Sequence, residues 1–185
     1  MRFLRNRFIY FVIRFCTKSS VALIILGSIA QQAAGQVTPN GTVTGTEVTH
    51  SETESTALIE ITGGQRSGDG ANLFHEFEQV NVNTDLTAQF VSAPNILNIL
   101  STIVGGPSSI DGLLQVLGSQ ADLYIINPAG ILFGPNVQLN LPGSLTATTA
   151  TGIGFDNQWL NLLEDATGSP DYSNLVGQPT AFDFA

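Results

Sequence analysis

Short apolar runs alternate with turn-forming residues along most of the chain, and the clearest example lies between residues 122 and 150. This pattern predicts strands at residues 123–126, 131–133, 137–141 and 144–149. The intervening sequences NPAG, GPN and PG are typical of tight turns. Strands this short, broken at such regular intervals, favour a chain that winds in successive coils, a β-solenoid, over one that forms long hairpins.

The rest of the chain continues the pattern and predicts further strands at residues 57–62, 73–82, 86–91 and 113–117. Residues 96–104 also fit one face of a helix, but the flanking Gly and Pro residues favour a strand. Residues 158–165, QWLNLLED, predict a short helix or a turn. A coil cannot bury its apolar face alone, so we expect the polar residues 36–55 to cap the first coil.

The extended segment 73–82 alternates regularly. A straight strand there would place alternate residues on opposite faces, with Leu73, His75, Phe77 and Gln79 on one face and Phe74, Glu76, Glu78 and Val80 on the other.

The first 35 residues have the features of a secretory signal peptide. A basic region ends at Lys18, an apolar core spans residues 21–30, and the small residues 33–35 offer a cleavage site before Gln36. A membrane anchor is the alternative, but Arg14 and Lys18 interrupt the apolar run well short of the roughly 20 residues that a span requires. We therefore expect no integral membrane segment after cleavage. Cys16 lies inside this leader, so the mature chain has no thiol chemistry.

Charge is sorted sharply along the chain. Five of the six basic residues lie in the first 18 positions, and only Arg66 remains beyond them, against all 15 acidic residues. Residues 19–185 therefore carry a net charge of −14, against −9 for the whole chain. This argues against nucleic acid as a partner, because binding a phosphate backbone requires clustered Lys and Arg. It suits a soluble exported chain.

Four blocks of sequence carry a family resemblance. They are GANLFHEFEQVNV at residues 70–82, GGPSSIDG at 105–112, INPAGILFGPN at 126–136 and GSLTATTA at 143–150. In this order they resemble the N-terminal secretion domain of filamentous-haemagglutinin-like exoproteins, the cargo of bacterial two-partner secretion. Two departures stand out: Ala129 replaces the second Asn of the family's NPNGI-like motif, and residues 101–104 lack a basic residue that the family places before Gly-Gly.

The resemblance implies an all-β, right-handed parallel β-helix (β-solenoid) with an N-terminal cap. It divides the chain into a signal peptide, residues 1–35, and a secretion domain, residues 36–185. It also implies a non-enzymatic exported cargo, without a cofactor, that an outer-membrane barrel transporter with periplasmic domains recognises. The chain would reach the cell surface or the medium through the periplasm, as the front part of an adhesin. Because the sequence ends abruptly at Ala185, we expect a truncated product or fragment.

Two sets of residues are the candidate sites that the resemblance implies. The secretion motif comprises Asn127, Pro128, Ala129, Gly130 and Ile131, and the family block comprises Asn72, Leu73, Phe74, His75 and Phe77. The motif also has a mechanical rationale, because Pro fixes φ, Gly permits a positive φ and Asn binds turn backbone. A structural corner and a direct contact with the transporter both stay open. A host or neighbouring-cell surface is a further partner if the chain is an adhesin in its own right.

Catalytic and metal-binding functions find little support. Glu76 and Glu78 would share one face of a strand and could serve as acid and base in a polysaccharide-active β-helix. Such an enzyme needs basic residues to hold an anionic sugar, and Arg66 alone remains. The two histidines, His50 and His75, lack zinc-ligand spacing. The segment GGQRSGDG, residues 63–70, is similar to a single calcium-binding β-roll repeat. Such repeats act only in tandem, so a turn is favoured.

Overall fold

A computed structural model describes residues 36–41, 44–52, 57–156, 158–162 and 170–184. The predicted signal peptide, residues 1–35, lies outside them. The described chain is almost entirely β-structure and contains one 3₁₀ helix, Tyr172–Asn174. The strands are β1 Val37–Pro39, β2 Thr46–Glu52, β3 Ala57–Gly63, β4 Gln65–Arg66, β5 Asn72–Val82, β6 Leu86–Val91, β7 Asn98–Ile103, β8 Ser108–Ile110, β9 Leu113–Leu117, β10 Asp122–Ile126, β11 Ile131–Phe133, β12 Gln138–Asn140, β13 Leu145–Thr148, β14 Gly152–Phe155, β15 Gln158–Asn161 and β16 Pro179–Asp183.

Parallel pairing between successive coils builds three faces. Face A contains the first part of β5 followed by β7, β10 and β13. Face B contains β3, β6, β9 and β12, and face C contains the end of β5 followed by β8 and β11. Because β5 contributes to both A and C, these two faces form one eight-stranded sheet that also includes β1 and β4. The predicted right-handed parallel β-helix is confirmed.

The register stacks like residues into continuous columns. In face A, Leu73 pairs with Ile99, Ile99 with Leu123, and Leu123 with Leu145, so successive coils differ by 26, 24 and 22 residues. The residues of this column are apolar because their side chains point into the solenoid core. Ile59, Phe77, Phe90 and Ile99 are at most 2% exposed. Each such side chain contributes roughly 1.5–3 kcal/mol through burial.

The strand prediction for residues 96–104 is confirmed by β7, but two other predictions are wrong. Val80 is buried in the same core as Phe77, not on the face of Phe74. The reason is that β5 turns the corner from face A to face C, and its pairing with β1 shifts register near Glu78. The predicted helix or turn at residues 158–165 is a strand at Gln158–Asn161, where pairing with β14 overrides the helical pattern. Residues 163–165 lie outside the described residues.

The N-terminal cap is confirmed. Strand β2 pairs antiparallel with β3, and β1 and β4 pair antiparallel with β5. These three strands occupy the backbone edges of the first coil, where a further parallel coil would otherwise pair.

A second layer covers the outer side of face A. The antiparallel sheet β15–β14–β16 and the 3₁₀ helix bury a separate apolar cluster that includes Phe74, Leu100, Tyr124 and Ile126 on the coils. At the last coil, the apolar side chains of Phe133 and Leu139 are 38% and 53% exposed. Within the described ranges there is no helix long and apolar enough to cross a membrane.

Candidate functional site

Asn127 is buried and connects three successive coils through hydrogen bonds. It follows β10 directly and is 0% exposed. Its Nδ2 donates to Gly106 O over 3.1 Å and to Ser108 Oγ over 2.9 Å, both in the preceding coil. Its backbone N–H donates to Thr148 O of the following coil over 3.0 Å. Every one of these bonds is internal, so the side chain of Asn127 acts on the shape of the corner.

The turn itself is closed by the same residue. Asn127 Oδ1 accepts a hydrogen bond from the backbone N–H of Ala129 over 2.9 Å, and Asn127 O accepts one from Gly130 N over 3.0 Å. Gly130 adopts φ +118°, a conformation that side chains resist, and its carbonyl accepts from Ser108 N over 3.0 Å. Ile131 then begins β11 and pairs with Ser108.

Pro128 and Ala129 form the outer surface of this corner. Ala129 is exposed and Pro128 is half-buried. Together with Ile103, Val104 and Leu162 they border an apolar groove of about 360 Å³. Val104, the last of residues 101–104, which lack the basic residue expected before Gly-Gly, is 43% exposed at this groove. The motif therefore divides into inward residues that build the corner and outward residues that a partner could contact.

The family block lies on β5, the first strand of face A, and β7 lies between β5 and β10, the strand that precedes the motif. Leu73 and Phe77 point into the solenoid core. Phe74 points outward, where its ring centroid lies 4.9 Å from that of Tyr172 and 5.9 Å from that of Phe155. These three residues are packing residues in two different clusters.

Asn72 forms a buried polar junction. Both of its outward hydrogen bonds run from Nδ2 to backbone carbonyls, to Leu175 O and to Gly177 O, each over 2.9 Å. Its Oδ1 accepts from Nδ2 of Asn98 in the next coil over 2.7 Å. The residue therefore holds the C-terminal segment of the domain against the first two coils.

His75 is a neutral core residue. It is 1% exposed, and burial lowers its pKa to about 4. Its Nδ1 lies 3.1 Å from Oγ1 of Thr46 on the cap strand β2, and its Nε2 has no hydrogen-bond partner among the described residues. The ring packs against Phe77 and Phe90, with centroids 6.1 Å and 5.9 Å away. These contacts support the structural interpretation of this histidine.

Glu76 joins the cap to the C-terminal segment, a role that the sequence did not reveal. Its Oε2 accepts from the hydroxyl of Tyr172 over 3.1 Å, and its Oε1 accepts from Nδ2 of Asn40. Burial and the neighbouring Glu76 carboxylate raise the pKa of Tyr172. Tyr172 and Asn40 are distant from Glu76 in sequence. Their contacts with Glu76 therefore depend on the path of the chain through the coils, which residue patterns do not give. Among the described residues no three His, Cys, Asp or Glu side chains are grouped so that they could hold a metal ion.

The chain resembles a known protein family and a solved structure. The model of the TPS secretion domain family matches residues 35–179. A solved structure described as the crystal structure of a filamentous hemagglutinin secretion domain is 27% identical, with a TM-score of 0.46. The alignment covers 63% of this chain and 43% of that one, so the chain spans less than half of the solved domain. Among curated proteins there is no match. Since the family model covers most of the chain, the protein belongs to the TPS secretion domain family.

Proposed function

We propose that residues 36–184 are the part of a two-partner secretion cargo that its outer-membrane barrel transporter recognises. The observation that carries this proposal is the family match over residues 35–179, which spans the cap, all the coils and most of the C-terminal layer. The family consists of non-enzymatic exported cargo domains, so the chain is an exported protein. The transporter, with its periplasmic domains, is the proposed partner.

The proposed route begins with residues 1–35 as a signal peptide and cleavage before Gln36. The mature chain then reaches the periplasm, meets the transporter and leaves the cell. The domain requires no ATP for this step, because folding outside buries the apolar columns and makes return unfavourable. The large excess of acidic residues over Arg66 keeps the chain soluble on the way.

Within the motif we assign two different roles. Asn127 and Gly130 hold the corner, since one is buried with internal bonds and the other has a positive φ. Pro128 and Ala129 are the residues that the transporter contacts, since they border the apolar groove beside Val104. In this proposal Ala129, although it departs from the family motif, keeps a contact position.

Export measured with the cognate barrel tests these roles. Ala129→Arg places a long charged side chain at an exposed turn position, so it should reduce export while the melting temperature of the purified domain stays within a few degrees. Asn127→Ala should reduce both. Ala129→Ser is the matched control and should be exported normally. If Ala129→Arg is exported like the parent chain, the outward part of the motif is not a transporter contact.

A surface-binding role is the second candidate, and the outer side of face B favours it. There, Glu60, Gln89, Gln115 and Asn140 form a ladder of hydrogen bonds of 3.1–3.2 Å across four parallel strands. No described element covers this side. We propose that, as the front part of an adhesin, the chain could present this flat polar face to a host or neighbouring-cell surface. Binding of the purified domain to intact cells, compared with a Gln89→Lys/Gln115→Lys variant, tests it: equal binding by both would exclude face B.

A further inference from the structure

Residues 170–177, here called the latch, fold back onto the first coil. The 3₁₀ helix Tyr172–Asn174 lies at their centre. Gly68 N–H donates to Ser173 O over 2.9 Å, and Gly177 N–H donates to Asp69 Oδ2 over 3.0 Å. A Cβ on Gly68 would lie 2.7 Å from Ser173 O, so the two backbones are in close contact. The latch thus returns to residues that precede it by about a hundred positions.

The latch also completes the burial of the first coil. Tyr172 and Leu175 are 2% and 4% exposed and pack in the cluster that covers Phe74 on β5. The same cluster covers Leu100 on β7. Without the C-terminal layer, this apolar stripe on the outer side of face A would face water, which is unfavourable.

Buried polar groups make the stability of the first coil depend more strongly on the latch. Asn72 is 0% exposed, and its amide donates only to the latch carbonyls of Leu175 and Gly177. A buried donor without a partner is costly. Asn98, 1% exposed, is bonded to Asn72 in turn, so the second coil depends on the same junction.

The N-terminal cap is tied to the same place. Glu76 accepts hydrogen bonds from Asn40 of the cap region and from Tyr172 of the latch. Both ends of the domain therefore meet on β5. This closure differs from an open solenoid, in which each repeat contacts only its neighbours and folding can propagate from repeat to repeat.

We propose that the latch controls folding of the whole domain: the capped first coil becomes stable only when residues 170–177 dock on it, so residues 36–184 fold as one cooperative unit. One consequence rests on the proposed function: a chain in transit stays unfolded until the latch has crossed. The folding claim itself does not depend on any transporter.

Native-state hydrogen exchange of purified residues 36–185 tests the folding claim. In the parent domain, the slowest amides of the latch and of β5 should exchange with the same free energy of opening. Asp171→Ala removes the acceptor of Ser173 N and Oγ and of Asn174 Nδ2, so the side-chain hydrogen bonds that it deletes all lie inside the latch. It should speed exchange of latch and β5 amides by the same factor, about fivefold for a lost capping side chain.

Two further variants complete the experiment. Tyr172→Phe keeps the ring but loses the bond to Glu76, and it should again change latch and β5 amides together. Asn140→Ala removes an exposed hydrogen bond of 3.2 Å at the last coil. Because residues 36–184 open as one unit in this proposal, the variant should speed latch and β5 exchange by one common, smaller factor. The proposal is overturned if latch amides open at least tenfold more often than β5 amides in the parent domain. It is also overturned if Asp171→Ala affects the latch alone, or if Asn140→Ala speeds exchange at the last coil while latch and β5 amides keep the parent rates.

Discussion

Asn127 Nδ2 donates a hydrogen bond of 2.9 Å to the hydroxyl of Ser108, its neighbour in the preceding coil. This bond connects two of the four sequence blocks that suggested the family, the motif INPAGILFGPN and the block GGPSSIDG. The second acceptor of the same amide, Gly106 O, belongs to that block as well. The two blocks are therefore two halves of one corner, stacked in adjacent coils.

The first prediction is that Asn127→Ala lowers the free energy of unfolding by about 2–3 kcal/mol. The substitution removes three side-chain hydrogen bonds and leaves the part-buried N–H of Ala129 and the buried hydroxyl of Ser108 with fewer partners. Urea titration of the purified domain measures the change. Ala129→Asn is the control: the side chain is exposed, so stability should stay within about 0.5 kcal/mol. Equal stability of all three proteins would remove the mechanical role of Asn127.

Gly130 allows a test of backbone conformation alone. A Cβ at this position meets no atom within 4 Å, so a larger residue suffers only from φ +118°. We expect Gly130→Val to cost about 1–3 kcal/mol of stability, since β-branched residues resist positive φ. Gly106→Val is the matched control because Gly106 also has open space around its Cβ but no positive φ. A thermal melt should separate the two variants clearly; similar melting temperatures would contradict the assignment of strain to Gly130.

The ladder on face B gives a third prediction. Gln115 donates to Gln89 and accepts from Asn140, with distances of 3.1 Å and 3.2 Å. Gln115→Ala breaks the ladder at its centre and should lower the free energy of unfolding by about 1 kcal/mol, since net gains from partly solvated bonds are small. Gln138→Ala, on the neighbouring strand and outside the ladder, should change little. Chemical denaturation of both variants decides the matter, and a cost for Gln138→Ala equal to that for Gln115→Ala would show that the ladder adds nothing.

The strands of the coils could be predicted because each is a short apolar run between turn residues, as at β10 and β11. The bend in β5 could not, since its sequence has no Gly or Pro to mark the point where the backbone turns a corner. The sequence around Gln158–Asn161 predicts a short helix or a turn, and pairing with β14 makes it a strand. In that pairing Trp159 packs on Gly154, a contact that needs both strands in place.

In the candidate site, too, some contacts could be predicted from the sequence and others could not. The turn bond from Ala129 N to Asn127 Oδ1 is local and follows from the residue types. The bonds of Asn127 to Ser108, and of Asn72 to Leu175, depend on coil length and on the return of the chain across about a hundred residues. Such contacts follow from the complete path of the backbone, so residue patterns alone do not reveal them.

His75 gives the domain a pH dependence. Burial lowers the pKa of His75 to about 4, below the ordinary value of 6.5 that applies in the unfolded chain. Between these values the unfolded state binds the extra proton, so stability rises with pH through this window. The full contribution is present above pH 6.5 and is lost progressively as the pH falls toward 4. A difference of this size corresponds to roughly 3 kcal/mol.

The fourth prediction is therefore that the free energy of unfolding falls by about 3 kcal/mol between pH 7 and pH 4, and that His75→Gln flattens this slope. His50→Gln is the control, because His50 is exposed on β2 and should leave the slope unchanged. Hydrogen bonds from Thr84 to Asp111 and from Ser67 to Asp69 lower the pKa of each carboxyl below 3.8, so these groups act only at still lower pH. Urea titrations at intervals of half a pH unit check the window. A slope that survives in His75→Gln would mean that another group binds the proton on unfolding.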